Sequence, residues 1–347
     1  MKKYEKAAEL YAGLRLHQNE NTGGCSPRVL EALASIRADE MCVYPPYQAT
    51  TEICARHFQI DPDHLSLVNG LDEGIMALAV GYLRPSPSGL IPEAVIPEPA
   101  FEIFAFDTEV VGGRPVPVMP RPDFSFALEE VLAAITPNTR AVFLTNPNNP
   151  TGTTIPLEAI RTIARRVPAE AVVFVDEAYA EFADVSFIPE LPAFSNVIVG
   201  RTFSKAFGLA GIRIGAIMGD PAALEPLRLA IPVYSVNVAA LAALTAALSD
   251  RAFVDNYLRQ VNESKALLYS ACDRLGLQYW RSAANFVLVK VGSQVEPLVQ
   301  GAADRGIYLR DRSSEPGCEG CVRVTTGIVQ HTRRVIDIME EVLCAAR

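Results

Sequence analysis

No block of Lys or Arg occurs in this 347-residue chain, and its formal net charge is −9 at pH 7, which argues against nucleic acid or an anionic membrane surface as a main partner. Histidine is scarce. His17, His57, His64 and His331 are well separated, so a His-based metal centre or triad is not expected. Seven Cys are scattered without a framework pattern, which fits a reducing compartment better than a disulfide scaffold. Cys318 and Cys321 form a lone C-x-x-C with no second ligand pair nearby, and no metal is expected there. The charged start Met1-Lys2-Lys3-Tyr4-Glu5-Lys6 has no apolar core of the kind a signal peptide needs. The longest mostly apolar run, Val236 to Leu248, contains Asn237 and Thr245 and is too short to span a bilayer. A cytoplasmic location is expected, with no membrane partner. Neither a G-x-x-x-x-G-K-[ST] loop nor a G-x-G-x-x-G is present, which removes the usual nucleotide-binding readings.

Half of the residues are apolar and a fifth charged, as in an ordinary globular enzyme long enough for two domains. Short apolar runs alternate with helical patterns through the middle of the chain, the texture of an α/β fold with a mainly parallel sheet covered on both faces. The strand candidates are Leu65-Val68, Ala94-Ile96, Ala141-Leu144, Val172-Val175, Val197-Val199 and Ile212-Ile217. Leu128-Ile135 and Leu157-Val167 carry apolar residues three and four apart, and Pro156 suits the start of the second helix. After about residue 235 the texture changes to helices near Val238-Leu248 and Ala252-Leu275, strands at Phe286-Val289 and Val322-Thr325, and a last helix from Thr332 to Cys344. This predicts a large domain over 40–235 and a smaller α+β domain from 1–39 and 236–347, with a helix at Arg28-Arg37 packing on the smaller one.

Four constellations fall at the carboxyl ends of predicted strands, where open α/β sheets place their ligands. Thr202-Phe203-Ser204-Lys205, followed by Gly208, Gly211, Arg213 and Gly215, puts an amine among hydroxyls and small residues, which suits a Schiff-base lysine beside a phosphate. The apolar strand Val172-Val175 ends in Asp176, with Tyr179 three residues on; a carboxylate there can keep a pyridinium nitrogen protonated and make the ring an electron sink. Thr145-Asn146-Pro147-Asn148-Asn149-Pro150-Thr151-Gly152 is a turn-forming run that presents an amide to the same crevice. Asn69-Gly70-Leu71-Asp72 is a strand-to-helix turn whose free N–H groups suit a phosphate. Each alone has a bland reading as a solvated lysine, a strand end, a turn or a capped helix. Their combination carries the chemistry.

These residues resemble the histidinol-phosphate aminotransferase branch of the class I/II aminotransferases, which are fold-type I enzymes dependent on pyridoxal 5'-phosphate (PLP). The similarity runs from about Leu14 to the C-terminus and includes Leu16-His17-Gln18-Asn19-Glu20-Asn21, Tyr44-Pro45-Pro46-Tyr47-Gln48, Gly306-Ile307-Tyr308-Leu309-Arg310-Asp311 and Cys321-Val322-Arg323-Val324-Thr325. The S-K-x-x-x-L-A-G-x-R-x-G pattern is its most specific part. The resemblance implies that Lys205 bonds the cofactor and shuttles the proton, that Asp176 holds the pyridinium nitrogen, and that Asn149 and Tyr179 contact the phenolic oxygen. It implies that Ser204, Arg213, Thr202 and the backbone of Leu71 and Asp72 hold the phosphate. Tyr44 matches a tyrosine that reaches the neighbouring subunit's phosphate, which implies a homodimer with shared sites. Arg323 matches the residue gripping the substrate's anionic group, and Arg310 a second anion contact.

Two departures bear on the substrate. Pro99-Ala100-Phe101 offers Phe where the family stacks a Tyr on the cofactor, and the family's N-terminal Pro-Tyr segment has no counterpart, with Tyr4 or Tyr11 as replacements. The expected reaction is reversible transfer of an amino group between a small-molecule amino donor and a 2-oxo acid, with histidinol phosphate and 2-oxoglutarate as the preferred pair. An aromatic amino acid aminotransferase and a threonine-phosphate decarboxylase-like activity are the alternatives. A non-catalytic module of this fold, such as a regulator's effector domain, is disfavoured by the retained Lys205, Asp176 and Arg213 and by the lack of an appended helix-turn-helix.

Overall fold

Valines and phenylalanines that alternate along the central strands bury on opposite faces of one sheet. The computed structural model describes residues 12–86 and 89–345, and the expectations attached to Tyr4 and Tyr11 lie outside them. Strand β1 (Leu14–Arg15) is peripheral; β2 (Leu65–Val68), β3 (Glu93–Pro97), β4 (Arg114–Val118), β5 (Thr139–Thr145), β6 (Val172–Asp176), β7 (Val197–Thr202) and β8 (Gly215–Gly219) form the main sheet in the order β2-β8-β7-β6-β5-β3-β4. β8 runs antiparallel to β2 and β7, and every other pairing is parallel. Val173 and Val175 face one side with Val142, Leu144, Val197 and Val199. Val172 and Phe174 face the other with Ala141, Phe143 and Ile198. This is the period of two that a pleated strand imposes. Phe104 stacks on Phe143 at 4.6 Å and meets Phe174 edge-on at 6.4 Å, so truncating Phe174 to Ala would cost about 3–5 kcal/mol.

The sequence misplaces one strand and does not announce another. The strand expected at Ile212-Ile217 begins only at Gly215, because Ala210–Ile212 forms a 3-10 turn and Arg213 adopts a left-handed φ of 58°. β4 reads Arg-Pro-Val-Pro-Val, a poor strand sequence because proline donates no ladder hydrogen bond; it is tolerated at the sheet edge, paired only with β3.

The second unit is built on β9 (Gln278–Tyr279), β10 (Phe286–Lys290), β11 (Ile307–Tyr308), β12 (Arg310–Asp311) and β13 (Cys321–Thr325). β12-β13-β10-β9 is an antiparallel sheet, while β1 pairs in parallel with β11. Leu16, Leu268, Cys272, Val287, Val289, Val322, Val324 and Met339 make its core beneath helices Arg251–Leu275 and Val329–Ala345. The boundary expected at 235/236 needs correction. Val236 and the buried residues Ala240, Leu241, Ala243 and Leu244 of helix Val238–Leu248 share the main sheet's core, and so does Val29 of helix Pro27–Ala34. Among the described residues no helix is long and apolar enough to cross a membrane.

Candidate active site

Parallel register brings the informative strand ends to one edge. Thr145 lies opposite Asp176, and Asp176 opposite Gly200, two residues before Thr202. The chain then leaves β7 through Thr202, Phe203, Ser204 and Lys205, with Thr202 and Ser204 buried and the Ser204 amide donating to Thr202 Oγ1 at 3.2 Å. Lys205 Nζ donates to the Gln18 carbonyl at 2.9 Å and lies 6.0 Å from the centre of the Tyr179 ring. Asn19 donates through Nδ2 to the Tyr179 hydroxyl at 2.9 Å. Lysine and tyrosine are thus both anchored by the segment after β1.

Asp176 is 4% exposed, and its Oδ1 accepts from the Ala178 amide at 2.9 Å. Burial pushes its pKa up to about 7, against the pull of that amide. Among the described residues no Arg or Lys forms an ion pair with it. Its neighbour Glu177 is spoken for: it accepts from Ser186 Oγ and the Phe187 amide, and Arg201 Nε lies 3.3 Å away while Arg201 Nη1 reaches Glu181 at 3.0 Å. This buried network clamps the end of β6 to β7 and so fixes Asp176 relative to Lys205.

The helix Leu71–Tyr82 starts at Gly70, whose φ is 77° and which has no side chain to cap the first turn. A Cβ on Gly70 would stand 2.3 Å from Arg213 Nη2, so the guanidinium lies directly against this turn. Arg213 is itself held by Asp72 at 2.8 Å and by the Ala210 carbonyl at 3.3 Å. The first-turn amides of Leu71 and Asp72, a guanidinium, and the hydroxyls after β7 form a donor set suited to a phosphate. Phe101 is half-buried and packs edge-on against Phe104 at 6.0 Å.

Arg323 on β13 is 5% exposed. Its Nη1 donates to Asn149 Oδ1 and its Nη2 to the His17 carbonyl at 2.6 Å, which joins the turn after β5 to the second unit. Burial, aided by Arg312 and opposed by Tyr179 and Glu315, lowers its pKa to about 9. Arg310 on β12 is the cross-strand partner of Arg323. Tyr44 stands apart: it is 75% exposed and stacks on Tyr234 at 4.2 Å. Gln18, Asn19, Glu177 and Arg201 have no expected role in the sequence reading, and Arg312 none either, although it pairs with Glu315 at 2.5 Å in a buried contact near Arg323.

A main sheet with one reversed strand, and a lysine just past the end of the strand next to one that ends in a sealed carboxylate, define the class: this is a fold-type I transferase. The chain belongs to the class I and II aminotransferases, whose family model matches residues 12–338. It is 36% identical over 339 residues to histidinol-phosphate aminotransferase 2 of Pseudomonas fluorescens (strain Pf0-1), covering 95% of this chain and 89% of that protein. It is likewise 36% identical over 334 residues to the histidinol-phosphate aminotransferase of Symbiobacterium thermophilum, covering 95% and 90%. The crystal structure of histidinol-phosphate aminotransferase from Sinorhizobium meliloti in complex with pyridoxal-5'-phosphate superposes with a TM-score of 0.87 at 26% identity, covering 97% of this chain and 92% of that one.

Proposed function

We propose that this aminotransferase uses PLP and transfers the amino group of histidinol phosphate to 2-oxoglutarate, reversibly. Two features fit the cofactor to the crevice. Asp176 is a sealed carboxylate that forms no ion pair among the described residues, and the Gly70 turn offers uncapped amides under a guanidinium. Asp176 would hold the ring nitrogen; Tyr179 and Asn149 the phenolic oxygen; Thr202, Ser204, Arg213 and the Leu71 and Asp72 amides the phosphate; Phe101 the ring face. When bound, the cofactor supplies an electron-withdrawing ring that allows the substrate's Cα–H to be broken as a proton. Lys205 Nζ would move that proton between the substrate's Cα and the cofactor's C4', and the Gln18 carbonyl, which accepts from Nζ, orients the amine for the task. Glu177 and Arg201 keep Asp176 in place and water out.

The observation that carries the substrate assignment is Arg323, buried and held by an uncharged amide oxygen and a backbone carbonyl, with Arg310 directly across the strand pair. Paired guanidiniums suit a phosphate and, in the second half-reaction, the carboxylates of 2-oxoglutarate. The names of the relatives support the same donor. Two copies sharing their sites through Tyr44, a cytoplasmic location consistent with seven unpaired cysteines, and a domain division within helix Arg251–Leu275 complete the reading.

Single-turnover conversion of the PLP form to the pyridoxamine form, offered histidinol phosphate and phenylalanine separately, tests the donor: strong preference for histidinol phosphate is expected, and preference for phenylalanine would make this an aromatic amino acid aminotransferase. Lys205→Ala should abolish turnover while the circular dichroism spectrum stays that of the wild type. Substantial turnover in that variant would remove Lys205 from the mechanism.

A further inference from the structure

Lys205, Tyr179 and Arg323 are each held by a hydrogen bond to the segment after β1, whereas both ring nitrogens of His17 on that segment are left over. Its side chain is buried, the residue being 6% exposed, yet among the described residues neither Nδ1 nor Nε2 has a hydrogen-bond partner. Leaving a buried donor unmade is costly, and native chains that do so generally have something to satisfy it. The location is telling. The His17 carbonyl holds Arg323 Nη2, and the carbonyl of the next residue, Gln18, holds Lys205 Nζ. Its ring packs edge-on against Tyr308 of β11, with centroids 6.1 Å apart.

The charges acting on the imidazole are all positive: Arg15 on its own segment, Arg310 on β12 and Arg323 on β13. Among the described residues Arg15 is the one of the three that forms an ion pair, with Glu20 at 2.8 Å. Burial first, and then these guanidiniums, lower the His17 pKa to about 4, so the ring is neutral at physiological pH with one N–H to give.

We propose that His17 is a specificity-determining residue that touches substrate, its imidazole joining Arg310 and Arg323 on the anionic end of the amino donor and favouring a phosphate dianion there over a carboxylate. This rests on the reading of Arg310 and Arg323 as the anion site. A guanidinium can saturate both oxygens of a carboxylate through paired hydrogen bonds, whereas a phosphate brings a third terminal oxygen that needs another donor. Two negative charges also offset the arginine field on the ring. Binding of a dianion therefore raises the ring's proton affinity and draws a proton from solvent onto its free nitrogen, while a monoanion does so less.

Sulfate is the probe, since it is a dianion that does not itself titrate near neutrality and the cofactor's own phosphate site is filled in the holoenzyme. The holoenzyme carrying histidine labelled with carbon-13 at Cε1 gives signals from only His17, His57, His64 and His331. His17 is assigned by its loss in His17→Gln, or by elimination through variants of the other three should that variant fail to fold. Without sulfate the His17 signal should stay flat from pH 8 to pH 5; with saturating sulfate its midpoint should move up into that range. His17→Gln should raise KM for histidinol phosphate about tenfold, the loss of one hydrogen bond to a charged group, and change KM for glutamate far less. A His17 signal indifferent to sulfate, or equal KM changes for the two donors, would overturn the proposal. Wild-type holoenzyme that ignores histidinol phosphate while His17 still responds to sulfate would sink only the donor assignment and leave His17 in the anion site.

Discussion

At Asp176 a carboxylate is sealed from water with one amide as its hydrogen-bonding partner, and its pKa stands near 7. The folded protein without cofactor therefore binds a proton there that the unfolded chain, with an ordinary carboxylate near 3.8, has already released. Stability is lost as pH rises from about 4 to 7, and the deficit stays constant above that range. His17 and His57, both lowered to about 4, act in the opposite direction: the unfolded chain gains protons first as pH falls below 6.5. A single melting curve mixes these effects, so a comparison at one residue is needed to separate them. Cofactor-free Asp176→Asn should melt several degrees above the cofactor-free wild type at pH 8, with the gap closing toward pH 4. A constant gap would mean that Asp176 is ionised in the fold without penalty. In the holoenzyme the same substitution should cost most of the rate while the cofactor stays bound, because Asn cannot hold the ring nitrogen protonated; near-normal kinetics would count against the electron-sink role.

At the scale of elements, the start of helix Leu71–Tyr82 depends on Gly70 for two independent reasons. Its φ of 77° is a left-handed value that strains other residues, and a Cβ would collide with Arg213 Nη2. Gly70→Ala should therefore cost about 1 kcal/mol of stability and weaken PLP binding about tenfold in a spectroscopic titration of the cofactor-free protein, since Arg213 must leave the turn. Unchanged PLP affinity would place the phosphate elsewhere. This turn was legible in the sequence because an apolar strand precedes it and a glycine starts the helix, and the runs at Asn149, Asp176 and Lys205 were legible on the same ground. The Lys205 anchor was not. It is a backbone carbonyl 187 positions away, to which any residue type at position 18 would contribute equally. The Ala/Leu-rich helix Val238–Leu248 misled for a related reason: a helix apolar nearly all round carries no stripe to say which core it joins. The prolines of β4 mask a strand that only its edge position permits.

On the whole-molecule scale, the surface around Tyr44 is unusually apolar. Met41, Val43, Tyr44, Val233 and Tyr234 are all exposed, and Tyr44 and Tyr47 both meet the Tyr234 ring. Apolar surface of this kind marks a face meant to be covered. A second copy of the chain, related by a two-fold axis, would cover the same face on both subunits at once and let each Tyr44 reach the other's phosphate site. Complementation reads this geometry directly. In a Tyr44→Phe subunit paired with a Lys205→Ala subunit, one site combines an intact Lys205 with the other chain's intact Tyr44, and the second site has neither. Random mixing makes half of the dimers mixed, so about a quarter of wild-type turnover should return from two severely impaired parents. If Tyr44 served its own chain, the site that keeps Lys205 would still lack the tyrosine hydroxyl, and mixing would restore nothing.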